Sequence, residues 1–291
     1  MKIITRIKGG LGNQLFCYAA ARRLALANNA ELIVDDVTGF ARDQEYRRQY
    51  ALDHFNIPCR KATSKERMEP FERYRRGIMK WTSRRQPFSA RRYVEQEGND
   101  FDLRVLNLRP QELIYLDGLW QNEAYFKDVE QTIRDDLRII PPADTLNQRM
   151  AEKIHRCNAV ALHVRWYEAP GSAVGNNVSA DYYQRAIALI EEKTDSPHYF
   201  VFSDSPEAAV QKIGLNEDQV TMVSHNKGEA NAYADLWLMT LCRNFIIANS
   251  TFSWWGAWLN PSEGRIIIAP KQWTTNQADV IDILPHSWMR L

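Results

Sequence analysis

Two groups of side chains in this sequence could do chemistry on an anionic ligand. In the first, an apolar run, Ala159-Val160-Ala161-Leu162, ends in His163-Val164-Arg165 and continues as Trp166-Tyr167-Glu168. Arg165 offers a planar fork of N–H donors that matches a diphosphate and does not lose its charge. A strand-end ion pair between Arg165 and Glu168 is the competing explanation. In the second, Phe245-Ile246-Ile247-Ala248 breaks into Asn249-Ser250-Thr251-Phe252-Ser253, followed by Trp254-Trp255-Gly256-Ala257-Trp258. A β-branched run giving way to amide and hydroxyl side chains is how a strand hands over to a helix N-terminus. Such a terminus carries unpaired N–H groups and partial positive charge, which suit a phosphate. Ser250, Thr251 and Ser253 can each add a donor, and three tryptophans in five residues would lock the turn by burial. A capped helix with an aromatic core face explains the same residues without a ligand.

The elements that must position these groups follow from periodicity. Lys2–Ile7 reads as a strand, Lys8-Gly9-Gly10-Leu11-Gly12-Asn13 as a tight turn, and residues 14–28 as a helix; Glu31–Asp35 is the next strand. This is a βαβ unit, so parallel strands with crossover helices are expected. Leu113–Leu116 is a further strand, with a helix expected from about Glu123. Ile139-Ile140-Pro141-Pro142 then stops both helix and sheet. The pattern restarts with strands over 159–164, 198–202, 245–248 and 266–269, and helices over 180–192 and 231–242. Two Rossmann-like halves with a cleft between them is the natural reading. In such sheets ligands bind at the carboxyl ends of strands, where His163, Arg165, Ser203-Asp204 and Asn249 all fall. Asp204 could accept from ribose hydroxyls or cap the helix opening at Pro206.

Composition narrows the class. A hydrophobic share of 45% and a charged share of 25% are those of an ordinary globular protein of one large or two medium domains. A net charge of +1 points to neither nucleic acid nor acidic partners. Four scattered cysteines, Cys17, Cys59, Cys157 and Cys242, lack metal-ligand spacing and read as reduced cytosolic thiols. The N-terminus leads straight into a strand, without a signal-peptide pattern, and a cytoplasmic location is expected. Charge is uneven, however. Residues 60–92 hold twelve Lys or Arg against three Glu, a local +9, with Met68, Phe71, Tyr74, Ile78 and Trp81 at helical spacing. That pattern suits either a helix lying peripherally on the anionic inner face of a bacterial cytoplasmic membrane or a solvated helix packed on its own domain.

Gly10-Leu11-Gly12 invites a dinucleotide reading, but the third glycine position of that fingerprint is Leu15, so an NAD-dependent enzyme is disfavoured. Asn13 and Gln14, at the start of the helix, can hydrogen-bond a ligand. Six segments then occur in order: Gly9–Phe16, Gly118-Leu119-Trp120-Gln121, His163-Val164-Arg165, Phe202-Ser203-Asp204, Ala234-Asp235-Leu236-Trp237-Leu238-Met239 and Ile247–Ala257. Together they resemble glycosyltransferase family 11, the bacterial and animal α-1,2-fucosyltransferases, from residue 3 to about 270.

The resemblance implies an α/β, GT-B-like fold of two Rossmann-like domains facing across a cleft. An N-terminal acceptor domain would span 1–145, with a basic helical insertion at about 60–92. A GDP-sugar domain would span 146–291, its final segment free to pack back on the first domain. It implies inverting transfer of L-fucose from GDP-fucose, without metal or other cofactor, to a galactoside-type hydroxyl of a surface polysaccharide precursor, or transfer of a related GDP-6-deoxy or dideoxy sugar. Carried over by motif, Arg165 would hold the β-phosphate and His163 shape the same pocket. Asn249, Ser250, Thr251, Phe252 and Ser253 would bind the diphosphate and sugar. Ser203, Asp204 and Asp235 would lie on the nucleoside side, and Asn13 would face the donor sugar. Gln14, Trp120 and Trp166 are acceptor-side candidates. The family's strand-end motif usually reads His-x-Arg-Arg-x-Asp; here Trp166 replaces the second arginine and Glu168 the aspartate. Glu168 is the candidate catalytic base, and the one Asp-x-Asp, Asp100-Phe101-Asp102, sits in a polar segment away from any strand end. A binding module that holds nucleotide sugars without transferring them is the remaining alternative.

Overall fold

The computed structural model describes residues 1–109, 112–165, 178–273 and 283–291. The chain divides into two compact units, Met1–Arg138 and Ile139–Leu291. The first unit runs β1 (Lys2–Arg6), α1 (Leu11–Ala27), β2 (Glu31–Asp35), β3 (Arg60–Lys61), α2 (Glu72–Arg84), β4 (Tyr93–Glu95), α3 (Leu103–Leu106), β5 (Leu113–Asp117) and α4 (Glu130–Asp136). Its parallel sheet has the order β3-β2-β1-β5-β4. The central strands are apolar along most of their length because helices and loops cover both faces: Ile3, Ile4, Leu32, Ile33, Val34, Ile114 and Tyr115 are all buried.

Helix α1 is apolar nearly all round and correspondingly buried, from Leu15 through Ala21. It starts three residues earlier than the periodicity suggests. Gly10, extended at φ −69° and ψ 169°, is the N-cap, and its carbonyl accepts from Asn13 N (2.9 Å) and Gln14 N (3.1 Å). Gly9 makes the turn at φ +77°, and a Cβ there would lie 2.7 Å from Asn13 Nδ2, so the chain needs glycine at this point.

The helix expected from Glu123 is instead two 3₁₀ turns, Glu123–Tyr125 and Lys127–Val129, before α4. Tyr125 and Phe126 are both buried. Tyr125 meets Trp120 edge-on at 5.6 Å and Phe126 lies 6.1 Å from Phe16. Two adjacent inward aromatics do not suit a regular α-turn, whose successive side chains diverge by about 100°, and Phe126 leaves helical geometry at φ −144°. At the carboxyl ends of β1 and β5, Asp117 takes Lys8 at 2.8 Å, Arg6 at 3.2 Å and the Tyr93 hydroxyl at 2.5 Å. Burial raises its pKa, but the two cations outweigh burial and set it at about 2.

The second unit runs α5 (Thr145–His155), β6 (Asn158–Val164), α6 (Ala180–Lys193), β7 (Pro197–Ser203), α7 (Pro206–Ile213), β8 (Val220–Val223), α8 (Ala232–Leu241), β9 (Asn244–Ile246), α9 (Thr251–Leu259), β10 (Ile267–Ala269) and β11 (Met289–Arg290). All neighbours in its sheet, ordered β11-β10-β9-β6-β7-β8, are parallel. Read from β8, this is the doubly wound order 3-2-1-4-5-6, which reverses between β6 and β9. Near the C-terminus β11 pairs with β10 at Ile268↔Met289. Strands β3, β4, β8 and β11 escaped the periodicity reading because each has two to four residues, too few for alternation to register.

Candidate functional site

The reversal between β6 and β9 is where an open α/β sheet leaves a crevice at its carboxyl edge, and the two groups singled out from sequence meet there. Strand β6 ends in His163 and Val164, with Arg165 next. Strand β9 leads through buried Ile247 and Ala248 to Asn249 and then α9. Ser250 is the N-cap of α9, extended at φ −137° and ψ 127°, and its Oγ accepts from Phe252 N at 3.3 Å. The same Oγ accepts from Arg165 Nη1, also at 3.3 Å. Ser250 Oγ is the acceptor in both, so its own O–H remains available to a ligand oxygen. The guanidinium is thus tied to the positive end of a nine-residue helix, and both put positive character in one place.

Behind this pair lies a second one. His163 Nδ1 is 2.8 Å from Ser253 Oγ, and Ser253 Oγ donates to Ser250 O at 3.3 Å. The Ser253 hydroxyl thus bridges the neutral His163 ring and the Ser250 carbonyl. Burial, with Arg165 alongside, drives the His163 pKa down to about 3. Ser253 is fully buried; its hydroxyl is committed to the cap and to His163, so it orients the pocket rather than adding a donor to a ligand.

Protonation links this histidine to stability. The folded imidazole takes a proton near pH 3 and the unfolded one near 6.5, so the unfolded state binds more protons between these values. Stability is therefore expected to fall as pH drops from 6.5 toward 3. Urea unfolding of the wild type and His163→Asn at pH 7 and pH 5 checks this: the acid-side loss should be smaller in the variant.

The tryptophans form the back wall of α9. Trp254 stacks on Trp258 at 6.0 Å and meets Trp255 edge-on at 4.9 Å; Trp288 lies 5.4 Å away, and Trp254 Nε1 donates to Ile283 O at 2.9 Å. Asn249 Nδ2 donates to Trp273 O at 3.3 Å. Thr251 and Phe252 are half-buried on the first turn, with the Phe252 ring 5.7 Å from the His163 ring.

Neighbouring strand ends hold the remaining second-unit candidates. Val164 pairs with Ser203, the last residues of β6 and β7, and Arg165 and exposed Asp204 are the residues that follow them. Ser203 Oγ accepts from Ser205 N at 3.1 Å, and Ser205 rather than Asp204 is the α7 N-cap. Asp235, on α8, accepts from Asn226 Nδ2 at 2.8 Å, and Asn226 also pairs with Asn147 at 2.9 Å. Burial raises the Asp235 pKa to about 7 against the pull of the Asn226 amide. His225 Nε2 reaches Asn147 Oδ1 at 3.0 Å. Sequence reading missed Asn147, His225 and Asn226. The only signal was their polarity just past a four-residue strand and at a helix start. Trp166 and Glu168 lie outside the described residues.

The first unit has its own reversal between β1 and β5. There the glycine-turn and Gly118–Gln121 motifs meet, with Gln121 Nε2 donating to Asn13 Oδ1 at 2.7 Å. Gln14 and Trp120, expected on the acceptor side, are both buried. Gln14 spends its amide on the backbone: Nε2 donates to Gly9 O and Gln49 O, and Oε1 accepts from Ala51 N. Trp120, at φ +53°, packs on Tyr125, and its backbone N–H accompanies that of Leu119 onto Gln96 Oε1. Both residues hold loops in position. Asp102, of the Asp-x-Asp segment, caps α3 and is gripped by Arg104 at 2.8 Å. Among the described residues no group of three His, Cys, Asp or Glu comes together.

Comparison with known proteins bears on this geometry. An α-1,2-colitosyltransferase of Escherichia coli is 28% identical over 300 residues, covering 99% of this chain and 98% of its own. The O-antigen biosynthesis glycosyltransferase WbnK of Escherichia coli is 31% identical over 315 residues, covering 98% and 99%. Among solved structures, the α-1,6-fucosyltransferase NodZ from Bradyrhizobium superposes with a TM-score of 0.52 at 17% identity, over 89% of this chain and 92% of that one. That likeness speaks to the fold, which is the two-sheet α/β architecture of GT-B glycosyltransferases. The family model "Glycosyl transferase family 11" matches residues 2–290. The chain belongs to glycosyltransferase family 11.

Proposed function

We propose that this chain is an inverting α-1,2-fucosyltransferase that moves L-fucose from GDP-fucose to a galactoside-type hydroxyl of an O-antigen or related surface-polysaccharide precursor. The observation that carries this reading is the Arg165–Ser250 contact at the β6/β9 reversal, a fixed cation joined to a helix N-terminus where a leaving diphosphate gains charge. The acceptor oxygen attacks the anomeric carbon as the carbon–oxygen bond to GDP breaks on the opposite face. Positive groups already in place stabilise the departing phosphate without reorganising. His163, held neutral, supplies shape and an oriented ring at the edge of the same pocket. Asp204 and Asp235 are the nucleoside-side groups in this account, Asn13 the group facing the donor sugar, and Glu168 the base; unchanged turnover in Glu168→Gln would eliminate the last assignment.

Support for the acceptor class comes from WbnK, named for O-antigen biosynthesis, and support for the donor class from NodZ, whose structure was obtained with GDP-fucose. A second reading, transfer of colitose from its GDP-sugar, is favoured by the similarity to the colitosyltransferase. Metal-independent transfer is part of the proposal, because Arg165 and the α9 N–H groups can take the role a cation would have.

A donor panel tests all three points. Transfer to β-galactoside acceptors should proceed with GDP-fucose, at full rate in excess EDTA. GDP at about 100 times its dissociation constant should raise stability by about 2.7 kcal/mol while NAD does nothing. Transfer with GDP-colitose alone would select the second reading. Donor binding with neither transfer nor hydrolysis would leave a binding module.

A further inference from the structure

We propose that the outer face of α2 is a docking surface for an anionic lipid bilayer. This helix has two distinct sides. Its inner side is built into the first unit: Met79 packs against the core cluster that holds Ile4, Ile33, Tyr93 and Tyr115, Ser83 Oγ accepts from Tyr93 N at 3.0 Å, and Arg76 donates to Thr38 Oγ1 at 2.6 Å. Lys80 and Arg84 both pair with Glu95 of β4. Positions 76, 79, 80 and 83 therefore define the anchored face, and helical geometry puts 74, 78 and 81 opposite; Phe71, the N-cap at φ +67°, lines a groove with them just before the helix.

Those four positions are Phe71, Tyr74, Ile78 and Trp81, with 75%, 72%, 47% and 56% of their surface exposed. Single exposed apolar residues are ordinary, but a contiguous stripe of large ones marks a contact site. Together with Glu72, Arg73 and Gly77 they line one open groove, its single acid offset by Arg73 and the neighbouring arginines, and Gly77 has open space where a Cβ would be. The helix is well anchored from behind, so the stripe is not left over from poor packing.

Charge identifies the occupant. Arg75 flanks the stripe on one side and Arg73 on the other, and the Arg85 guanidinium lies 3.3 Å above the Trp81 ring. Lys80 and Arg84 share the one carboxylate of Glu95, whereas Arg73, Arg75 and Arg85 stand outside the ion pairs of the described residues. A second copy of this chain would bring two +9 segments together, so self-association through this face is opposed. Aromatic rings at headgroup depth with arginines beside the phosphates are the features of a helix lying in a membrane interface. At 13 residues, about 20 Å, α2 would lie along the surface. No helix among the described residues is long and apolar enough to cross a membrane.

The inference does not rest on the identity of the donor, since vesicle binding is read without nucleotide or turnover. The full chain is sedimented with phosphatidylcholine vesicles, with and without phosphatidylglycerol, across a salt series. Binding is expected only with phosphatidylglycerol, weakening as salt rises. Each interfacial arginine contributes about fivefold, so Arg73→Ala with Arg85→Ala should cut partitioning by about thirtyfold. Trp81→Ala should weaken binding, with thermal unfolding unchanged because the ring faces outward. As a check that needs no weakened variant, brominated lipid should quench part of the wild-type tryptophan emission, and Trp81→Phe should abolish that part. Equal binding to neutral vesicles, no binding to either, or wild-type partitioning of the arginine variant would overturn the proposal. So would polyglutamate binding as strong as that to vesicles, which would point to an acidic protein, or a Trp81-dependent dimer on gel filtration.

Discussion

Arg165→Ala should lower turnover by about 10²–10³ while leaving the fold intact, the loss typical of removing one fixed donor from developing negative charge. The guanidinium is half-buried and its contact with Ser250 Oγ is 3.3 Å, so the ground-state bond is modest. Its effect should grow as the carbon–oxygen bond to GDP lengthens and charge collects on the diphosphate. kcat should then fall with KM for the donor changing less. Arg165→Lys keeps the charge but loses the two-pronged fork, and should recover only part of the rate. Steady-state kinetics of the three proteins, with thermal unfolding as the fold check, measures the effect. Equal kcat in all three would remove Arg165 from the chemistry.

The second large effect is structural. Trp254→Ala should cost about 3–5 kcal/mol, the range for deleting a buried aromatic and leaving a cavity, and lower Tm by about 10 °C or more in a unit of this size. Trp254 is fully buried among three other indoles and its N–H is satisfied by Ile283 O. Losing it therefore removes area, ring contacts and one end of a buried hydrogen bond together. Because α9 carries the Ser250 cap on its first turn, donor affinity should also fall. Trp254→Phe, which keeps most of the area, should lose much less of both. Differential scanning calorimetry and GDP titration of the two variants would measure these losses, and a Trp254→Ala protein as stable as wild type would contradict the packing account.

Much of the candidate site was legible in the sequence because its positions follow from local rules. A hydroxyl-rich segment after an apolar run does cap a helix at Ser250, and alternation along β6 does deliver His163 and Arg165 to a strand's carboxyl end. What the sequence hid were relations between distant segments. Ser253 looked like a ligand donor, yet its hydroxyl is consumed by His163, 90 positions away in the chain. Gln14 looked free to bind substrate, yet Gln49 and Ala51 fold back onto its amide. The Asn147–Asn226–Asp235 network joins two helices and a loop that no short spacing connects. Strand β8, which leads into it, was too short to show alternation. The 3₁₀ turns after Trp120 were hidden for another reason: propensity favours a helix there, and the burial of both Tyr125 and Phe126 overrides it.

The central claim is that the β6/β9 reversal and the first turn of α9 hold the donor's diphosphate. A structure of the full chain with GDP tests this most directly. The account predicts the β-phosphate within hydrogen-bond distance of Arg165 and Ser250 Oγ, with the N–H groups opening α9 directed at it. A diphosphate bound elsewhere, for example at the Gly9-Gly10 turn of the first unit, would contradict it.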